Sequence, residues 1–307
     1  MRLLITGATG CIGQYITEAL TTQTDHELFL FVRNPAKLTV DPQQRPGVHL
    51  IQGDLLDLSP LAPLLPTLDG VILTAAAWGN KNAFAINFEQ TCALLQQLDP
   101  QRCQRVFYFS TASILTRQMT PLPEAATLGT AYIRSKYECL QAIESLPVGD
   151  RVVELFPTMV FGGGADGKRP SFITKGMRQA LKWLWLARFF RVEASFHVVH
   201  ARDIAQVVLY LIEHPEYPVP RRVALGNPAI TVNELLTQLC QAHNLPIYFQ
   251  VPLTPALVNF FIKVFRIQMS PWDYFCLNYR NFSYDTILNP QQLGLKPHYA
   301  TVVDLLE

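Results

Sequence analysis

Tyr132 and Lys136 stand four residues apart in Tyr132-Ile-Arg-Ser-Lys136, so on a helix they project from one face. A phenol ordinarily keeps its proton to about pH 10, and a fixed ammonium beside it stabilises the phenolate and draws that value toward neutrality. Such a pair could pass a proton to or from the oxygen of a carbonyl or an alcohol. The spacing alone is common, because a packed tyrosine ring with a snorkelling lysine gives the same pattern. Its context carries the weight. Upstream, Phe107-Tyr-Phe-Ser110-Thr111-Ala-Ser113 reads as a strand ending in hydroxyl residues, at the carboxyl edge where open α/β sheets bind ligands.

A second constellation binds phosphate. Gly7-Ala-Thr9-Gly10-Cys11-Ile12-Gly13 follows the first apolar run and opens a helical segment. Glycines there make the turn tight and let the backbone approach a pyrophosphate at which helix N–H groups point. Roughly twenty residues past such a loop, an NAD site places an acidic residue on the adenosine ribose. This chain has Arg33 there, with Lys37 one helical turn on and no carboxylate in Val32–Lys37. A guanidinium matches a 2′-phosphate in charge and fork geometry, so NADP is favoured over NAD. The competing reading is a solvated arginine at a strand end.

These residues need a scaffold. Leu3–Thr6, Leu28–Val32, Val48–Gln52, Gly70–Thr74, Val106–Ser110 and Arg151–Phe156 read as strands with helices between them, an alternation that implies a parallel sheet covered on both faces. The expected fold class is α/β, a Rossmann doubly wound parallel sheet with a smaller C-terminal substrate lobe. The division expected is 1–156 for the cofactor domain, with 196–227 returning to it, and 157–195 and 228–307 for the lobe. The second half holds Gly162-Gly-Gly164, proline-rich turns and Leu293-Gly294-Leu295 before a short terminal helix. Asp203 is expected as the N-cap of a helix running to Ile212.

With 25 Lys+Arg against 24 Asp+Glu, a formal net charge of +1, the chain lacks the basic footprint that nucleic acids require. Six cysteines, Cys11, Cys92, Cys103, Cys139, Cys240 and Cys276, show no CxxC and no Cys/His clustering. They read as reduced, packed thiols, and no metal site is expected. Met1-Arg2 leads straight into a strand without an apolar signal segment, which makes the cytoplasm the expected location. At 49% hydrophobic and 16% charged residues, the chain is more apolar than a typical soluble domain. Two stretches concentrate that character, Ala180–Phe190 and 251–269. Lys182 and Arg188 interrupt the first and Pro252, Pro255 and Lys263 the second, so neither offers the ~20 apolar residues of a spanning helix. Ordinary packing competes there with a peripheral membrane surface, a protein or subunit contact, and the wall of an apolar substrate pocket. Trp183, Trp185, Phe189, Phe190, Phe260, Phe261 and Phe265 are the aromatic residues that could form such a wall.

Taken in order, Gly7–Gly13, Asp54 after the third strand, Ser110-Thr111, Tyr132/Lys136 and the Pro157-Thr-Met-Val-Phe-Gly162 turn resemble the extended short-chain dehydrogenase/reductases, also called the NAD-dependent epimerase/dehydratase family. The likeness runs over nearly the whole chain and is specific mainly in the first 165 residues. It implies an oxidoreductase with Tyr132 as proton donor or acceptor, Lys136 as its helper, and Thr111, with Ser110 next to it, as the hydroxyl that orients the substrate oxygen. It also implies that Asp54, with Leu55 beside it, contacts adenine, and that Ala75-Ala76-Ala77 lines the cofactor. The implied cofactor set is thus Gly7, Thr9, Gly10, Cys11, Ile12, Gly13, Arg33, Lys37, Asp54, Leu55, Ala75, Ala76, Tyr132, Lys136 and Pro157. Asn87 falls where the family often has an asparagine, but Asn87-Phe-Glu-Gln-Thr91 departs from the family's Asn-Val-x-Gly-Thr, which leaves a purely structural role open. Phe156-Pro157-Thr158 lacks the asparagine by which nucleotide-sugar enzymes of the family hold a sugar diphosphate. It is closest in pattern to the dihydroflavonol-reductase and 3β-hydroxysteroid-dehydrogenase branch, whose substrates are apolar. The expected activity is NADP-dependent hydride transfer to or from a small apolar carbonyl or alcohol. The alternatives are a non-catalytic NADP-binding assembly or regulatory scaffold, and a nucleotide-sugar epimerase or dehydratase. A homodimer is the assembly the resemblance suggests.

Overall fold

The computed structural model describes residues 1–307 apart from 80, 164, 165, 265, 300–303 and 305–307, together with the side chain of Phe261. Gly164, Phe265 and nearly all of the expected terminal helix therefore lie outside the described residues. Eight strands form one parallel sheet: β1 (Arg2–Thr6), β2 (Glu27–Val32), β3 (Val48–Gln52), β4 (Gly70–Leu73), β5 (Arg105–Phe109), β6 (Val152–Pro157), β7 (Arg222–Leu225) and β8 (Ile287–Leu288). Their spatial order is β8-β7-β6-β5-β4-β1-β2-β3. The six expected strands stand where the apolar runs placed them, with ends shifted by no more than one residue. The edge strand β8 comes from 228–307, the stretch assigned by sequence to the lobe. Two residues of pairing, Ala224 with Ile287 and Leu225 with Leu288, give too short a run to stand out.

The helices used below are α1 (Cys11–Gln23), α2 (Thr91–Gln96), α3 (Ala131–Ile143), α4 (Phe172–Ala180), α5 (Ala201–Glu213), α6 (Val232–Ala242) and α7 (Pro255–Val264). Alternate strand residues point to opposite faces of a sheet. Leu3, Ile5, Leu28, Leu30 and Phe107 accordingly pack with Tyr15, Ile16 and Leu20 of α1 and Ile204, Val208 and Leu211 of α5. Leu4, Phe29, Phe31, Val71 and Tyr108 face the other way, onto Leu94 and Leu95 of α2 and Cys139 and Ile143 of α3. Each fully buried leucine, isoleucine or phenylalanine contributes about 1.5–3 kcal/mol relative to exposure, so the two faces together hold the sheet. β7 is anchored by charge as well. The fully buried Glu154 carboxylate of β6 accepts from Arg221 Nε at 3.0 Å and Arg222 Nε at 2.7 Å, which offsets its desolvation.

Asp203 corrects an expectation. The helix starts at Ala201, and its N-cap is His200, whose Nδ1 accepts the Arg202 N–H at 3.0 Å. Asp203 is the third helical residue, fully buried, and accepts the backbone N–H groups of His298 at 2.7 Å and Tyr299 at 3.3 Å. The cap position being filled, its carboxylate serves donors from the far end of the chain. Burial raises it to about 6.

The lobe has its own core of Phe161, Leu184, Val198, Leu235, Leu239 and Cys240. Within it Phe190–Arg191 pairs in parallel with Val251–Pro252, which brings the two apolar stretches side by side. No helix among the described residues is long and apolar enough to cross a membrane.

Candidate active site

The glycine loop is as tight as its sequence requires. Gly7 has φ +77°, and a Cβ there would lie 2.5 Å from Ala75 N. A Cβ on Gly13 would lie 2.1 Å from Gly7 O, so only glycine lets the first turn of α1 descend onto the loop. Gly10 N donates to Gly7 O at 2.8 Å, and Thr74 Oγ1 donates to Thr6 O at 2.7 Å, fixing the ends of β1 and β4 against each other. Gly10 caps α1 without a side-chain hydrogen bond, and the first turn holds no acid. Thr9, Gly10, Cys11, Ile12 and Gly13 thus surround a positive helix end, with Ala75 against Gly7 just past the end of β4 and Ala76 next to it, packed toward Tyr132. This cradle fits the pyrophosphate of a dinucleotide.

At the adenosine end, Arg33 follows β2 and Asp54 follows β3. The structure brings these two together, with Arg33 Nη1 3.8 Å from Asp54 Oδ2 and the arginine side chain 75% exposed. The carboxylate absent from Val32–Lys37 is supplied by the neighbouring strand. Asp54 Oδ1 also accepts Leu56 N at 3.1 Å, which shapes the turn at Leu55. Lys37 closes the short helical turn Pro35–Lys37, which Asn34 caps by accepting Ala36 N.

Tyr132 lies in the first turn of α3, where Thr130 caps the helix by accepting Ile133 N. It is buried, and the Thr111 side chain stands beside its hydroxyl. Thr111 Oγ1 also lies 2.9 Å from Ser113 Oγ. Of the two hydroxyls at the end of β5, Thr111 is therefore the one beside Tyr132; Ser110 is buried, and its Oγ has no hydrogen-bond partner among the described residues. Lys136 stands one turn below Tyr132, but its Nζ donates to Phe109 O at 2.8 Å and sits 4.9 Å from the centre of the Tyr108 ring. Burial lowers Lys136 to about 8. Burial also raises the Tyr132 phenol well above its ordinary range, with the Thr111 side chain opposing the rise. Lys136 is not among the groups that shift Tyr132, so the depression expected from it is absent from this arrangement.

One feature escaped the sequence reading, and another, Asn87, had its role left open there. Trp78 stacks on the Tyr132 ring with centroids 4.4 Å apart and planes 12° from parallel, while remaining 71% exposed. The signal was its place directly after Ala75-Ala76-Ala77. Asn87 is fully buried in a π-helical turn, Ala85–Gln90, of the kind that recurs at functional sites. Its Oδ1 accepts Ala77 N at 2.8 Å, and its Nδ2 donates to Ala77 O at 2.9 Å and to Ser135 Oγ at 3.1 Å. Asn87 thus ties the residue before Trp78 to the helix that carries Tyr132.

Pro157 ends β6 in register with Leu225, and Thr158 Oγ1 donates to Leu225 O at 2.9 Å. The chain then returns to α1. Gly163 N donates to the Tyr15 hydroxyl at 2.9 Å, Gln14 exchanges hydrogen bonds with Arg169 N and O at 3.0 and 2.9 Å, and Lys168 pairs with Glu18 at 3.0 Å. Cys11 Sγ faces Gly162 O at 3.8 Å, and burial pushes its thiol up to about 12, so it is no nucleophile. Trp183, Trp185 and Phe260 of the expected aromatic wall are 62, 55 and 58% exposed and stand outside the cluster around Tyr132, while Phe265 and the Phe261 side chain lie outside the described residues. The apolar residues clustered with Tyr132 are instead Ala112, Ile133, Trp272 and Tyr284, and Tyr284 Oη donates to Ala112 O at 2.6 Å.

A glycine turn beneath a helix N-terminus, at the carboxyl edge of a sheet in this strand order, defines a Rossmann-type dinucleotide-binding protein. Residues 3–226 match the model of the NAD dependent epimerase/dehydratase family, and the chain belongs to that family. It is accordingly an enzyme of the extended short-chain dehydrogenase/reductase type. Solved structures share the fold. The protein gox2253 is 20% identical, with 99% of this chain and 95% of that one covered at a TM-score of 0.69. The dTDP-glucose 4,6-dehydratase of Bacillus anthracis, solved in complex with NAD, is 14% identical over 100% of this chain and 94% of that one at 0.65. A nucleoside-diphosphate-sugar epimerase from Staphylococcus aureus is 16% identical over 100% of both chains at 0.66. No curated protein matches the chain.

Proposed function

We propose that this enzyme moves hydride between a nicotinamide dinucleotide, NADP in preference to NAD, and the carbonyl or alcohol carbon of a small apolar substrate. The observation that carries the reading is the hydroxyl pair Thr111–Tyr132, at the end of β5, one helical turn above Lys136 and roofed by Trp78. When bound, the dinucleotide supplies the hydride donor or acceptor. The α1 N-terminus and the Gly7–Gly13 backbone hold its pyrophosphate, and Ala75, Ala76 and Pro157 border it. Arg33 and Lys37 hold a 2′-phosphate, for which the weak, exposed contact between Arg33 and Asp54 is readily exchanged. Thr111 holds the substrate oxygen, and Tyr132 gives it a proton during reduction or takes one during oxidation. Trp78 and the Trp272–Tyr284 cluster offer apolar contact, which supports an apolar rather than a sugar-diphosphate substrate.

Several structural relatives are named as enzymes of nucleotide sugars, which supports a second reading as a sugar-nucleotide epimerase or dehydratase. Against it stands Phe156-Pro157-Thr158, which lacks the asparagine such enzymes carry after the sixth strand. The test is titration with NADPH and NADH by nicotinamide fluorescence for the wild type, Arg33→Asp and Tyr132→Phe, followed by turnover with apolar ketones and with UDP- and dTDP-sugars. Ketone-dependent oxidation of NADPH, lost in Tyr132→Phe with cofactor binding retained, is expected. Full activity of Tyr132→Phe removes Tyr132 from the reaction, and turnover of sugar nucleotides alone establishes the second reading.

A further inference from the structure

The formal net charge of +1 conceals a strong separation of charge. Residues 167–192 and 245–272 together contain nine lysines and arginines and no aspartate or glutamate, which leaves a net charge of −8 on the rest of the chain. The fold joins these two stretches along 188–191 and 246–253, while Lys168 is buried against Glu18 and Arg191 pairs with Glu193. Val251 N donates to Phe189 O and Leu253 N to Arg191 O, both at 2.8 Å, Arg188 Nη1 reaches Pro246 O at 3.0 Å, and the Phe189 and Phe249 rings stack at 5.0 Å. On this surface the large apolar side chains point outward: Trp183 is 62% exposed, Trp185 55%, Tyr248 78% and Phe249 61%. Lys175, Arg178 and Lys182 of α4 and the turn after it follow one another at helical spacing, are exposed, and form no ion pair among the described residues.

Exposed tryptophan and tyrosine beside unpaired cations match the two layers of an anionic bilayer surface, headgroup charge outside and the acyl boundary beneath. We propose that this face docks the protein peripherally on anionic lipid. A second copy of the chain is disfavoured as occupant, since a two-fold contact would press like charge against like charge. The proposal is independent of the reaction proposed above, because none of the exposed aromatic residues and cations just named belongs to the cluster around Tyr132.

The test is sedimentation of the full chain with vesicles of equimolar phosphatidylcholine and phosphatidylglycerol, against phosphatidylcholine alone, at low and high salt, with intrinsic tryptophan emission followed in parallel. Binding to the anionic vesicles with a blue-shifted emission is expected, together with weak binding to the neutral ones. The triple reversal Lys175→Glu/Arg178→Glu/Lys182→Glu is expected to weaken partitioning by roughly a hundredfold. Trp183→Ser/Trp185→Ser is expected to abolish the blue shift while leaving the thermal melting curve unchanged. Equal binding by the charge-reversed protein, or no binding to anionic vesicles at low salt, overturns the proposal. Selective capture of polyglutamate with no vesicle binding also overturns it, assigning the face to an acidic polypeptide. So does a tryptophan-dependent dimer in sedimentation equilibrium.

Discussion

Replacing Asn87 by alanine tests how the site is held. The amide makes three hydrogen bonds, two to the backbone of Ala77 and one to Ser135 Oγ. Ser135 Oγ still donates to Tyr132 O at 2.8 Å after the change, so the cost falls on Ala77, whose N–H and C=O lose their partner inside the fold. At about 1–1.5 kcal/mol for each stranded backbone group, Asn87→Ala is expected to destabilise the protein by about 3 kcal/mol. That corresponds to roughly 6 °C of melting temperature in a chain of this size. Asn87→Asp is a graded control: it can still accept Ala77 N but no longer donates to Ala77 O. The site itself reports through Trp78, which is released from the Tyr132 ring once Ala77 is free. Calorimetry and tryptophan fluorescence of both variants are the assay. An Asn87→Ala protein within about 0.5 kcal/mol of the wild type, with Trp78 emission unchanged, refutes the clamp, since such small effects belong to surface positions.

Two other outcomes are expected. Gly13→Ala places a methyl 2.1 Å from Gly7 O, forcing the loop off α1; dinucleotide affinity by fluorescence titration should fall at least about a hundredfold, in line with the loss of a pre-formed anion site. Lys136 gives a pH signature. Folding lowers its value to about 8, whereas the unfolded chain holds that proton to about pH 10.4. Between these limits the unfolded state binds more protons, so stability rises with pH across the window, and the burial penalty is complete below it. Urea midpoints of the wild type relative to Lys136→Met should therefore climb from pH 8 to pH 10; a flat difference contradicts the burial of a titrating lysine.

Much of the frame was readable because it is written in short-range pattern. Parallel strands buried on both faces must be nearly continuous apolar runs, and the glycine loop has to follow the first of them. The same holds for Tyr132 and Lys136, whose common face needs only helical spacing. What escaped depends on contacts between distant segments. Asp203 looks like a cap when only its own helix is considered, yet its donors come from His298 and Tyr299. The pairing of Arg33 with Asp54 arises from the adjacency of β2 and β3. The stacking of Trp78 on Tyr132 arises from the return of α3 to the end of β4. The engagement of Lys136 by Phe109 O could not be read from a four-residue spacing, since it depends on how deeply α3 sits against β5.

The return of Gly163, Lys168 and Arg169 to α1 means that the helix offering its N-terminus to phosphate is also the berth of the segment leading into the lobe. Seating of Gly163, Lys168 and Arg169 on α1 and filling of the phosphate cradle draw on one structural member, so they are linked equilibria. Whatever free energy the seated segment lends to the cradle, an occupied cradle returns in equal measure to the segment, and the order in which the two events occur does not alter the sum.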